Sequence, residues 1–187
     1  MVQLLLVRHG ETYENTAKIL QGHLPGHLTD CGRSQAVELR ESLLKSNIHF
    51  DKIVTSDLRR AIDTTNIINA TFNKPVITTR LLRERDWGSI TGISLAQKPV
   101  LHFPDDVESV SDLFIRAKEF LSFILTHYDN QTILAVGHGL FNRCIIASLY
   151  GQTIQDVPPM KNAEFRKLLI KNTAFHTDNA PDLAASN

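Results

Sequence analysis

The sequence predicts an α/β fold: a three-layer sandwich with a mainly parallel central sheet and helices on both faces. Two observations carry that prediction. Short apolar runs recur at 2–7 (VQLLLV), 52–55 (KIVT), 75–78 (PVIT) and 132–136 (TILAV), and read as strands buried on both faces. Between them lie stretches whose apolar residues fall three and four positions apart, the spacing of amphipathic helices. Such alternation builds a parallel sheet covered on both sides.

The elements follow in order. After the first strand, Thr29 can cap a helix whose inner face runs Ala36, Leu39, Leu43. The second strand leads to a helix that Ser56 can cap, with Leu58, Ala61, Thr65, Ile68 and Phe72 facing inward. The third strand is followed by an irregular excursion over 85–110, interrupted by Gly88, Gly92, Pro99 and Pro104. A helix carrying Leu113, Ala117, Phe120, Leu121, Ile124 and Leu125 precedes the fourth strand. The next helix follows Gly139 and ends near Gly151, a plausible C-cap. Residues 166–171 (RKLLIK) can supply a fifth strand, and the polar, Ala-rich residues 172–187 read as a loose tail beyond a single domain of 1–171.

The 187 residues suit one domain, with 42% hydrophobic residues for a core. Twenty basic side chains balance 20 acidic ones, so no broad positive surface is available for nucleic acid or an anionic membrane. Any cation that matters must act locally. No apolar stretch reaches the roughly 18 residues of a membrane span, and MVQLLLV lacks the basic leader of a signal peptide. Cys31 and Cys144 form no metal or redox motif, which fits a reduced, cytoplasmic protein.

In a parallel sheet, ligands bind beyond the carboxyl ends of the strands. Three sequences fall there: Arg8-His9-Gly10, Ser56 through Arg60, and Gly137-His138-Gly139. The first puts a fixed cation beside an imidazole, and Gly10 allows close backbone approach. Two arginines in the first turn of a helix oppose the helix dipole, so a bound anion would justify one of them. His138 stands at a strand-to-helix junction, where amide N–H groups attract anions. Each feature alone has an ordinary reading as a surface side chain or tight turn. Together they describe a phosphate site: arginine forks for the dianion and a neutral histidine to attack phosphorus. A carboxylic acid must protonate the leaving oxygen, and Glu84 in LLRERDWG is the best placed. An ion pair of Glu84 with Arg83 or Arg85 is the competing reading. His23 and His27 follow Gln21-Gly22 and could line the site mouth, with a surface position the favoured reading; Asn162 reads as an ordinary turn residue.

These residues resemble the histidine phosphatase superfamily, in the branch shared with cofactor-dependent phosphoglycerate mutases. The likeness runs from Leu4 to about Leu169. It rests on Arg8-His9-Gly10-Glu11-Thr12 with Asn15, on Gln21-Gly22, Leu28-Thr29, Gly32 and Gln35-Ala36, and on Ser56-Asp57-Leu58-Arg59-Arg60-Ala61. Leu82, Glu84, Gly88 and Gly92 continue it, followed by Glu108-Ser109 and Gly137-His138-Gly139. The resemblance implies a phosphoglycerate mutase-like fold with His9 as nucleophile and Glu84 as acid, then base. It also selects Arg60 over Arg59. Arg8, Asn15, Gln21, Gly22, Arg60, His138 and Gly139 would bind the substrate's phosphate. For Asn162 the resemblance implies an approach to the site as the alternative to an ordinary turn. The implied activity is metal-independent and cofactor-free hydrolysis of a small phosphomonoester through a phosphohistidine. The alternatives are phosphoryl transfer of the phosphoglycerate mutase type and a catalytically silent phosphate-binding module. Thr91 departs from the acidic residue of many relatives, and only 92–108 is left for a substrate lid, which should therefore be minimal.

Overall fold

Leu4 and Leu6 pack to one side of the first strand, Leu5 and Val7 to the other, and all four are fully buried. That strand, β1 (Val2–Arg8), therefore lies inside a sheet covered on both faces, as the apolar run predicts. The computed structural model describes residues 1–97 and 102–171; the expected tail, 172–187, and part of the lid lie outside the described residues.

Four more strands complete the sheet: β2 (Lys52–Ser56), β3 (Val76–Thr79), β4 (Thr132–Gly137) and β5 (Phe165–Ile170). Their order is β3-β2-β4-β1-β5. β1 to β4 run parallel, and β5 pairs antiparallel with β1. After β1 come α1 (Tyr13–Thr16), a single turn, and α2 (Asp30–Lys45); α3 (Arg59–Phe72) joins β2 to β3. The inner residues of α2 and α3, including Leu39, Leu43, Ala61 and Ile68, cover the Leu5 and Val7 face. On the other face lie α4 (Val110–His127) and α5 (Gly139–Tyr150), through Leu113, Phe120, Phe141 and Ile145.

The predicted ends of α2 and α5 are present. Thr29 accepts from Gly32 N, and Gly151 closes α5 in the left-handed region at φ 64°. The expected cap at Ser56 does not form. Ser56 is the last residue of β2, and Asp57 and Leu58 intervene before α3 starts; Leu58, in extended backbone, occupies the cap position without a side-chain bond. The Ser56 hydroxyl accepts instead from Leu58 N and meets a histidine of the neighbouring strand end.

The excursion after β3 is irregular, as expected, with one-turn helices at Arg80–Leu82, Gly88–Ile90 and Leu95–Gln97. A small third core of Leu20, Trp87 and Val107, with Ile90, Ile93 and Phe103 against it, fastens this segment beside the strand ends. Backbone bonds from Leu20 N to Ile93 O and from Leu95 N to Lys18 O tie it to the chain after α1.

Candidate active site

β1 and β4 are adjacent and parallel, and their register sets Arg8 opposite Gly137. The next residues, His9 and His138, therefore emerge side by side, with ring centroids 5.2 Å apart. The helices that follow depart to opposite faces, α2 on one and α5 on the other. This is the point at which an open α/β sheet parts to form a crevice. The chain leaving β1 runs close under α2: a Cβ on Gly10 would meet Gly32 O at 2.4 Å, so only glycine fits there.

Arg60 joins the two histidines. Arg59 lies outside and bonds Asp63 one turn on at 2.8 Å, whereas Arg60 turns inward and is 1% exposed. Its Nε–H is shared between His9 Nε2 and His138 Nδ1, at 3.2 Å each. Its remaining nitrogens donate to the carbonyls of Gly22 (2.9 Å), Leu24 (2.5 Å) and Pro25 (3.4 Å). The two arginines that break the helix-dipole rule thus separate into an exposed ion pair and a buried cation.

These bonds assign the imidazole tautomers. His9 Nδ1 lies 2.7 Å from Gly10 O, which can only accept, so the proton is on Nδ1 and the lone pair on Nε2. His138 accepts at Nδ1, so its Nε2 donates to the Ser56 hydroxyl at 2.9 Å. Both rings are neutral. Burial, with Arg60 and Arg8 nearby, holds His9 well below the ordinary histidine pKa. Burial, Arg60 and His9 do the same to His138. Burial also lowers the guanidinium of Arg60 to about 10, which leaves it charged at neutral pH.

A cavity of about 150 Å³ opens over this group. Arg8, His9, Asn15, Gln21, Gly22, Arg60, Glu84 and Gly139 all line it, so eight predicted residues share one space. His138 does not line it; fully buried, it reaches the group through the shared Arg60 N–H. Ile19, Leu20, Trp87 and Leu140 supply an apolar wall. Arg8 Nη1 donates to Met160 O at 2.6 Å, while its buried Nε has no hydrogen-bond partner among the described residues.

Glu84 makes no ion pair with Arg83 or Arg85. Arg83 forms a fork with Asp57 at 2.6 and 2.7 Å, and the side chain of Arg85 stacks on Trp87 and Phe103. The Glu84 carboxylate instead accepts from Leu140 N and Phe141 N, in the first turn of α5, and from Arg85 N. A helix N-terminus is a favourable seat for an anion.

Three residues acquire a place that their local sequence does not announce. Asn162 is no ordinary turn residue: its Nδ2 donates to His9 O (3.1 Å) and Asn15 Oδ1 (3.3 Å). Thr64 accepts from Gly10 N at 3.0 Å. His23 donates from Nε2 to Glu84 O at 3.0 Å, while His27 is exposed as expected. Local sequence reaches neither Asn162 nor Thr64; the family resemblance alone offered an approach of Asn162 to the site.

Residues 4–180 match the model of the histidine phosphatase superfamily, branch 1. A broad-specificity phosphatase of Saccharomyces cerevisiae is 28% identical over 180 residues, covering 93% of this chain and 77% of the yeast protein. The Bacillus subtilis phosphatase PhoE is 32% identical over 155 residues, 81% of this chain and 79% of its own length. The solved structure of YhfR from Bacillus stearothermophilus superposes with a TM-score of 0.80 or better, namely 0.84, at 26% identity over 95% of this chain and 96% of that one. Sequence, fold and the clustering of arginines and histidines at the β1–β4 crevice agree, and the chain belongs to the histidine phosphatase superfamily as a phosphatase.

Proposed function

We propose that this phosphatase hydrolyses small phosphomonoesters through a phosphohistidine formed on His9. The observation that carries the reading is the convergence of His9 Nε2, His138 Nδ1 and Arg60 Nε on one spot at a cavity that Glu84 also lines. A phosphoryl oxygen taking over the shared Arg60 N–H would release the His9 lone pair toward phosphorus. Arg8 supplies a second cation, so the clamp stabilises the transferring group by charge without a metal or cofactor.

In the first step the Nε2–P bond forms and the ester P–O bond breaks, while Glu84 in its acid form gives its proton to the leaving oxygen. In the second, water attacks phosphorus and Glu84 takes the water proton. Phosphate departs and His9 returns to the neutral imidazole. Gly10 O keeps Nδ1 protonated throughout, so the reactive nitrogen is always Nε2. Asn162 and Asn15 brace the His9 backbone.

Among the described residues the cover on the site is a few apolar side chains around Trp87 and Val107, and this favours hydrolysis over mutase transfer. A silent binding module would not need an acid beside the nucleophile. The reading places the enzyme in the cytoplasm. Both cysteines are free, and among the described residues no helix is long and apolar enough to cross a membrane.

The test is rapid quench of the enzyme with a phosphate-labelled substrate. The chain should carry acid-labile, alkali-stable label, and His9→Ala should carry none and turn over at background rate while remaining folded. Undiminished label on His9→Ala would remove His9 from the chemistry.

A further inference from the structure

The segment that carries Glu84 is gripped by Arg116 and Glu108, two residues that do not line the cavity. Arg116, in α4, donates from Nη1 to Arg83 O (2.6 Å) and Leu81 O (3.2 Å), and from Nη2 to Glu84 O (3.4 Å). Glu108 receives the same guanidinium in a two-pronged bond, Nε to Oε1 and Nη2 to Oε2, both at 2.8 Å. Its Oε2 also accepts from Asp86 N at 3.0 Å. The backbone of Glu108 adds two bonds, its N–H to Asp86 O (3.0 Å) and its carbonyl from Arg85 Nε (2.8 Å).

The same guanidinium reaches the other support of the acid. Its carbon lies 3.8 Å from the centroid of the Phe141 ring, and Phe141 N is one of the amides that hold the Glu84 carboxylate. One partly buried cation therefore touches both the chain that carries Glu84 and the residue that orients its oxygens. Its partners on this segment are the carbonyls of Leu81, Arg83 and Glu84, in and just after a one-turn helix. Forked arginine–carboxylate pairs fix geometry as well as charge, and this one is largely shielded, with side-chain exposures of 17% and 15%. The hollow of about 380 Å³ beside it, which Arg116 and Glu108 also line, lacks both histidines of the candidate site.

We propose that Arg116 and Glu108 are positioning residues for proton transfer, setting the reach of Glu84 toward the leaving oxygen. The inference rests on the reading of Glu84 as the acid. It says more than that the pair supports the fold, because a fold support would act equally on every substrate. A misplacement of about 1 Å at a reacting group can cost about 100-fold, and only the step that needs the proton should feel it.

The experiment compares Arg116→Lys and Glu108→Gln with wild type and with Glu84→Gln. The substrates are glycerol 2-phosphate, whose alkoxide needs a proton, and 4-nitrophenyl phosphate, whose phenolate scarcely does. Each positioning variant should lose about 10- to 100-fold in kcat on glycerol 2-phosphate, with KM little changed. Loss on nitrophenyl phosphate should stay within about threefold. The double variant should be no worse than the more severe single one, because the two side chains act as a unit. Equal loss on both substrates, no loss, or failure of both variants to fold would overturn the proposal. Two results separate this inference from its premise. If Glu84→Gln is selective for the alkyl substrate and the positioning variants are not, only the positioning role falls. If Glu84→Gln loses equally on both, the acid itself is misassigned and the inference falls with it.

Discussion

In the proposed mechanism His9 attacks as a neutral imidazole, and burial beside two guanidinium groups lowers its pKa and favours that form. The same surroundings have a cost that pH reveals. Below the ordinary histidine pKa of about 6.5 the unfolded chain binds a proton on His9 that the folded chain refuses. More protons on the unfolded state means that stability rises with pH and is lost as pH falls below about 6.5. Between pH 6.5 and 5.5 this amounts to about 1 kcal/mol for one such histidine. Urea unfolding should therefore show His9→Gln losing about 1 kcal/mol less than wild type over that interval; parallel losses would mean that His9 titrates normally in the fold. At this scale most of the site is legible in the sequence. Arg8, His9, Arg60 and His138 sit within a few residues of predictable strand ends, so the strand-end rule gathers them without knowledge of contacts. Asn162 is reached by family resemblance and not by local pattern, because its approach depends on the turn before β5, where Ala163 N bonds the carbonyls of Arg8 and His9. That turn has no local pattern pointing to the first strand.

The joint between β1 and α2 is the element on which the placement of His9, the proposed nucleophile, depends. Gly10 and Gly32 touch backbone to backbone, and Gly10 O orients the His9 ring. Gly10→Ala should destabilise the protein by about 1–3 kcal/mol in urea unfolding, as overpacking of a tight contact does, and should lower turnover through the displaced carbonyl. Unchanged stability would show that the α2 end can yield. Periodicity located all five strands and the four long helices, since apolar runs and three-four spacing are written locally. The start of α3 was misplaced because Ser56 has the chemistry of a cap. The hydroxyl is bound instead to His138, a partner 82 positions away that helix signals do not encode. The irregular segment before α4 showed itself by its glycines and prolines, but its anchoring through Arg116 and Glu108 is purely tertiary.

Over the whole molecule, the cover of the site decides between water and a sugar acid as acceptor. Residues 92–108 hold one basic residue, Lys98, against Asp105, Asp106 and Glu108. The described part is fastened to the chain at Lys18 and Leu20 by backbone bonds. A mutase must keep its phosphohistidine dry and grip a second anionic end of the substrate. Incubation with 3-phosphoglycerate followed by NMR should show phosphate release with negligible 2-phosphoglycerate, and isomerisation faster than release would favour the mutase branch. The strand order has a further consequence, which belongs to the birth of the chain. β1 precedes the other four strands in the sequence, yet among the described residues it pairs with β4 and β5, the last two. Its VQLLLV edges stay open until Thr132–Gly137 has emerged, since β4 must slot between β1 and β2. The apolar segment of β1 thus waits unpaired while the residues between it and β4 are made, a natural client for chaperones. Until then His9 lacks His138 beside it, so the crevice of the candidate site forms only when β1 and β4 pair.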